Sequence, residues 1–242
     1  MSKQAKKVVL LLVEGACEEA LLYDRIRTLF TNNEIRFDII KGDILGDLNQ
    51  KNTNIKNLVG GRVKNYINKM KLGTSDLLAI IQIADTDGCF VDESAVIINE
   101  KQDRLTLYNS LNISVPSSNQ QSKIIERNKL KSKNIHTMRT LNTIISGKVH
   151  YQIYYFSRAL EHVLFNEANP ETRYKVREVE DFLDNEQKPI EEFLSNFLPI
   201  STGITLDEKY TESWQNISAE LASLERYTNV SLMFDYLKMI ND

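Results

Sequence analysis

Two apolar runs constrain this chain more than any other feature, because neither alternates with polar residues. Val8-Val9-Leu10-Leu11-Leu12-Val13 and Leu77-Leu78-Ala79-Ile80-Ile81-Gln82-Ile83-Ala84 carry apolar side chains on both faces. A strand of that kind is buried on both sides, as inside a parallel sheet covered by helices. Each run also ends in acid: Glu14-Gly15 follows the first, and Asp85-Thr86-Asp87-Gly88 follows the second. In open α/β sheets, ligands sit beyond the carboxyl ends of the strands. Carboxylates gathered there repel one another, and a divalent cation relieves that repulsion. A magnesium site is therefore the first functional expectation.

The segments between and after these runs set the fold class. Ala20, Leu21, Ile26, Leu29 and Phe30 approximate helical spacing and predict a helix over 16–32. Residues 34–41 predict a second strand, 42–47 a turn with further carboxylates, and 55–71 a helix with Gly60-Gly61 as a weak point. A third strand falls at 76–84 and a fourth at 94–99. This alternation predicts an α/β core with a parallel sheet and helices on both of its faces. Residues 112–122 are polar and contain Pro116, which reads as an exposed loop. Residues 123–145 predict helix and carry Lys123, Arg127, Lys129, Lys131, Lys133 and Arg139, opposed by Glu126. Tyr151-Gln152-Ile153-Tyr154-Tyr155-Phe156 has strong strand propensity. Ser157 is placed to cap a helix over 157–165. Helical spacing recurs over 171–185, 187–198 and 212–239. The expected division is an α/β domain over 1–166, with a basic insertion around 112–146, and a mainly helical C-terminal extension over 167–242.

Composition narrows the functional classes. The formal net charge of -3 over 242 residues gives no general bias toward nucleic acid, so a local patch would have to supply one. The Val8–Val13 run is far shorter than the roughly 18–20 residues that span a bilayer. Cys17 and Cys89 have no CxxC partner, which argues against zinc and for reduced thiols. A cytoplasmic protein with no membrane segment is expected.

Each candidate residue has two readings. Glu14 is either an acid favoured by a helix N-terminus, worth about 0.3–1 kcal/mol, or a strand-end group with a chemical role beside a Gly that allows a sharp turn. Glu18 and Glu19 fit the first of these. Asp85 and Asp87 form either a turn closed by Gly88 or two carboxylates on one side of an extended segment, able to hold one or two cations. The basic stretch at 123–139 is either a solvated helix face or a track for phosphates. It has no interleaved aromatics for base stacking. His136 and His150 have no partner pattern and read as structural.

The Glu-Gly after the first strand and the DxD after a later one resemble the Toprim domain. That family includes topoisomerases, bacterial primases, ribosomal-RNA maturation nucleases and the OLD (overcoming lysogenization defect) nucleases. The matching residues are Leu12-Val13-Glu14-Gly15 with Glu18, Gly42-Asp43, and Ile83-Ala84-Asp85-Thr86-Asp87-Gly88, within about 6–110 or through 166. The resemblance implies that Glu14, Asp85 and Asp87 hold Mg2+ or Mn2+ for phosphoryl transfer, with the Glu also serving as acid or base in some members. Ser157-Arg158-Ala159-Leu160-Glu161-His162 resembles a further acidic motif of OLD-type and related phage-defence nucleases. It implies Glu161 at a second metal, with Arg158 or His162 toward a phosphate; the plain reading is a capped helix with an exposed acid. Two cations about 3.5–4 Å apart would clamp the attacking and leaving oxygens.

The chain departs from the family by lacking a GxxxxGK[ST] motif, the zinc and helicase parts of primases, and a recognisable topoisomerase tyrosine. A stand-alone metal-dependent nuclease acting on nucleic acid is the implied function, with phage defence as its setting. A separate ATPase partner and a homodimer stay open. Two rivals remain. One is a non-catalytic module that binds nucleic acid or docks a partner. The other is a haloacid-dehalogenase-type phosphatase with Asp85 as nucleophile. Against the phosphatase, the DxD follows the third strand instead of the first, and Cys89 stands where Thr or Val is usual.

Overall fold

The computed structural model describes residues 7–30, 34–39, 43–145, 147–170 and 176–241. The first apolar run is strand β1 (Val8–Val13), buried along its whole length. Helix α1 (Ala16–Leu29) follows, then β2 (Glu34–Ile39), α2 (Ile55–Lys69) and β3 (Leu77–Asp85). Helix α2 runs unbroken through Gly60-Gly61. The expected continuations to 31–33, 40–42 and 171–175 lie outside the described residues.

β1 lies between β2 and β3, parallel to both. Val9, Leu11 and Val13 share a core with Leu21, Leu22 and Ile26 of α1. Val8, Leu10 and Leu12 share the opposite core with Val59, Val63 and Ile67 of α2. The chain thus leaves β1 toward one side over one face and returns past it over the other. That makes the gap between the carboxyl ends of β1 and β3 the topological switch point of the sheet, where open α/β folds bind ligands.

An insertion separates β3 from the next long strand. It contains β4 (Val96–Ile98), β5 (Leu107–Tyr108) and β6 (Ile113–Val115), then α3 (Ser118–Met138) and β7 (Thr143–Ile144). The expected fourth strand is β4, but it belongs to a separate small sheet in the order β4-β6-β5. The stretch read as an exposed loop at 112–122 instead holds β6 and the first turn of α3. β6 is buried because Ile113 and Val115 join a small core with Val91, Val96, Ile124 and Leu224. Ser117 caps α3 by accepting from the Gln120 N–H at 3.3 Å.

β8 (Val149–Phe156) pairs in parallel with β3, and β7 pairs antiparallel with β8, giving the main sheet order β2-β1-β3-β8-β7. Helix α4 (Leu160–Phe165) begins later than expected, with Ala159 at its cap position. Ser157 instead donates its hydroxyl to the Ser223 carbonyl at 3.0 Å. The C-terminal part comprises α5 (Val176–Asn185), α6 (Ile190–Ser195), α7 (Leu206–Ile217) and α8 (Val230–Asn241). The single helix expected over 212–239 is two, split at 218–229.

These helices are built into the core. Val179, Ile190, Leu194, Val230, Met233, Phe234 and Leu237 pack on the same sheet face as Ile81, Ile83, Tyr154 and Phe156. Trp214 and Ile217 of α7 join the other face. Between α7 and α8, residues 227–229 run beside β8. Thr228 bridges Phe156, and Ser157 N–H donates to the Tyr227 carbonyl at 2.8 Å. Among the described residues, no helix is long and apolar enough to cross a membrane.

Candidate active site

Glu14 stands where β1 ends, one residue before Gly15, the cap of α1. The Gly15 N–H is taken by the Glu18 carboxylate at 3.0 Å, so Glu18 serves the helix terminus. Glu14 turns toward β3, where its Oε1 accepts from the Asp85 backbone N–H at 3.4 Å. Glu14 and Asp85, the last residue of β3, thereby meet across the switch point.

Asp87 does not follow Asp85. The expectation that the two carboxylates point the same way requires an extended segment, and the strand stops at Asp85. Cys89 N–H donates to the Thr86 carbonyl at 3.0 Å, closing a tight turn in which Asp87 has φ 49 and Gly88 φ 63. Two successive left-handed residues define a type I′ turn, for which Asp-Gly is a favoured pair. The turn is tied to the end of β8: Thr86 N–H donates to Phe156 O at 2.9 Å and Asp87 N–H to Arg158 O at 2.9 Å. The Thr86 hydroxyl oxygen accepts the Arg158 N–H at 3.0 Å.

The turn delivers Asp87 to Lys131 of α3. Lys131 is 0% exposed, and its Nζ lies 2.5 Å from Asp87 Oδ2 and 2.9 Å from Asp43 Oδ2. Asp43 is fixed by its own loop, with Oδ1 accepting from the Leu45 and Gly46 N–H groups, each at 3.0 Å. Arg127, one turn earlier on α3, donates to the Asp87 carbonyl at 3.0 Å and to Tyr108 Oη at 3.3 Å.

The electrostatics divide along the same line. Burial pushes the Glu14 carboxyl up to about 8, opposed by Lys131 and reinforced by Asp43, Asp87 and Glu18. Burial, then the neighbouring Glu14, Glu18 and Asp87, drives Asp85 well above the carboxylate range. Burial also disfavours charge on Asp87, but Lys131 and Arg127 outweigh it and hold that carboxyl below its ordinary value. For Lys131, burial is outweighed by Asp87, Asp43 and Glu14, and the ammonium stays charged.

Among the described residues, no three or more His, Cys, Asp or Glu side chains form a metal-holding group. The donor set available to a cation is the Glu14–Asp85 pair. Among the described residues, Asp85 Oδ1 is buried with no hydrogen-bond partner, an unsatisfied acceptor. Two oxygen donors of this kind fit magnesium, which keeps several waters and takes one or two carboxylates together with substrate phosphates.

The other expected site residues scatter. Glu161 sits partly exposed in the first turn of α4, and no hydrogen bond or ion pair joins it to Glu14, Asp85 or Asp87. The basic residues do not form one phosphate track. Lys123 and Arg127 line a cleft of about 720 Å³ beside Asp43, Asp47, Asp87 and Arg62. Lys129 pairs with Glu93 at 2.7 Å, and Lys133 is exposed elsewhere on α3. Lys131 is buried in the acidic cluster. Arg139, past the end of α3, reaches Ser218 Oγ at 3.5 Å and lines a different cavity. Arg158 is buried under the turn and donates to the Asn109 carbonyl at 3.2 Å.

Asp43 and the true place of Lys131 are the functional features that sequence reasoning missed. Asp43 lies beyond the end of β2, in the turn already read as carrying further carboxylates. The buried residues Ile124, Asn128, Lys131, Ile135 and Met138 recur at helical spacing, so the periodicity put Lys131 on the inner face of α3. Comparison with protein-family models, with curated proteins and with solved structures returned no match for this chain.

Proposed function

We propose that the protein is a magnesium-dependent phosphoryl-transfer enzyme of nuclease type, acting on phosphodiesters of nucleic acid at the ends of β1 and β3. The observation that carries this reading is the meeting of Glu14 and Asp85 at the switch point, with the buried Asp85 Oδ1 lacking a partner. Glu14 and Asp85 would hold Mg2+ or Mn2+. When bound, the ion would polarise a phosphoryl oxygen and acidify a bound water. Lys123 is exposed at the cleft that Asp87 also lines and is available to phosphate oxygens.

The test is cleavage of plasmid, single-stranded DNA and RNA with Mg2+ or Mn2+. Glu14→Ala and Asp85→Ala are each expected to lower the rate by on the order of 10²-fold or more. Cleavage untouched by both substitutions would overturn the site. On the Toprim resemblance the proposed setting is phage defence, and plaque counts on cells expressing native or Asp85→Ala protein test that.

A second reading, the non-catalytic module, is favoured by one observation. Lys131 pairs with both Asp43 and Asp87, so these two carboxylates need no further cation. Metal-independent nucleic-acid binding with no cleavage under any of these conditions would select it.

A further inference from the structure

We propose that the centre takes a single divalent cation per chain, because Lys131 serves as its second cation. The proposal rests on the metal-dependent reading above and concerns how many ions that site holds.

Charge balance is the first argument. Glu14, Asp43, Asp85 and Asp87 gather around the switch point. Lys131 bridges Asp43 and Asp87, and Arg127 holds the Asp87 carbonyl. Among the described residues, Glu14 and Asp85 form no ion pair, unlike Asp43 and Asp87, and one divalent ion would match these two carboxylates. The orphaned oxygen falls on the same side: Asp85 Oδ1 is buried and unpartnered, whereas Asp43 and Asp87 both reach Lys131.

Anchoring is the second. Lys131 belongs to the buried face of α3, between Asn128 and Asn134. Asn128 Oδ1 accepts from Arg127 at 2.8 Å, and Asn134 Nδ2 donates to the Leu45 carbonyl at 2.8 Å in the loop that follows Asp43. An ion taking the place of the ammonium would have to expel a fully buried side chain. The type I′ turn is the third argument, since it ends the strand at Asp85 and leaves Asp87 paired with Lys131.

The experiment counts Mn2+ on the native protein by calorimetry and by electron paramagnetic resonance, with no substrate and no activity readout. One ion per chain with an uncoupled six-line spectrum is expected. Lys131→Gln is expected to bind a second ion and show spin coupling, and Lys131→Arg, which keeps the charge, to stay at one. Circular dichroism confirms that each variant is folded. If Lys131→Gln fails to fold, the native count alone decides. Two ions on the native protein would overturn the one-ion proposal and leave the metal-dependent reading standing. A folded Lys131→Gln still holding one ion would also overturn it. No ion on the native protein would overturn both.

Discussion

Asp85 and Asp87 stand two positions apart, yet one carboxyl is raised above the carboxylate range and the other held below it. The difference comes from company: Asp85 has Glu14 beside it, and Asp87 has Lys131. A raised carboxyl binds its proton more tightly in the folded state, so its contribution to stability is complete below its ordinary pKa. That contribution is lost as pH rises through the folded value. For Glu14 the window runs from 4.5 to about 8. Without metal, stability should fall across that window by on the order of 5 kcal/mol. Thermal melts at pH 5 and pH 8 check this, and Glu14→Gln should flatten the dependence. Added Mg2+ should raise the melting temperature more at pH 8 than at pH 6, because the ion competes with protons for the carboxylates. At a hundredfold excess over Kd the gain is about 2.7 kcal/mol, and Asp85→Asn should abolish it. Glu14 and Asp85 were legible because each ends a strand recognisable by its apolar run. The divergence of Asp87 was less so. Asp-Gly does signal a type I′ turn, but the direction in which such a turn aims its side chain depends on what packs beyond it.

Among the elements, α3 and the 86–89 turn govern the site. Gly88 has φ 63, and a Cβ there would lie 2.7 Å from Leu224 Cδ2 and 3.2 Å from Ile113 Cδ1. Gly88→Ala should therefore destabilise the fold by about 1–3 kcal/mol, and urea melts check this. The long strands β1, β3 and β8 were readable because an uninterrupted apolar run is hard to bury otherwise. Of the small sheet, β4 was readable at 94–99 but its place in a separate sheet was not. β4, β5 and β6 are too short to show a period, and the polar residues around Pro116 mask the burial of Ile113 and Val115. Net basicity misled at α3, because charge along a sequence says nothing of which helix face bears it. Helical spacing carried that information.

Across the whole molecule, the helical C-terminal part packs into the cores on both faces of the sheet, which hydropathy spacing alone did not reveal. α8 turns Val230, Leu232, Met233, Phe234, Tyr236 and Leu237 inward. The segment before it is bound to β8 by buried groups. The Thr228 hydroxyl donates to the Tyr155 carbonyl at 2.6 Å, and Asn229 Oδ1 accepts the Tyr155 N–H at 2.8 Å. Thr228→Val keeps the shape and removes the donor, at an expected cost of about 1–3 kcal/mol, read from chemical denaturation. Because Phe156 and Arg158 at the end of β8 hold Thr86 and Asp87, the segment at 227–229 is a mechanical brace for the turn at the site. An agent that grips α8 would have leverage on Asp87 without approaching the cleft, and a substitution at Thr228 or Asn229 would pass for damage to the chemistry while every charged group of the site stayed in the chain.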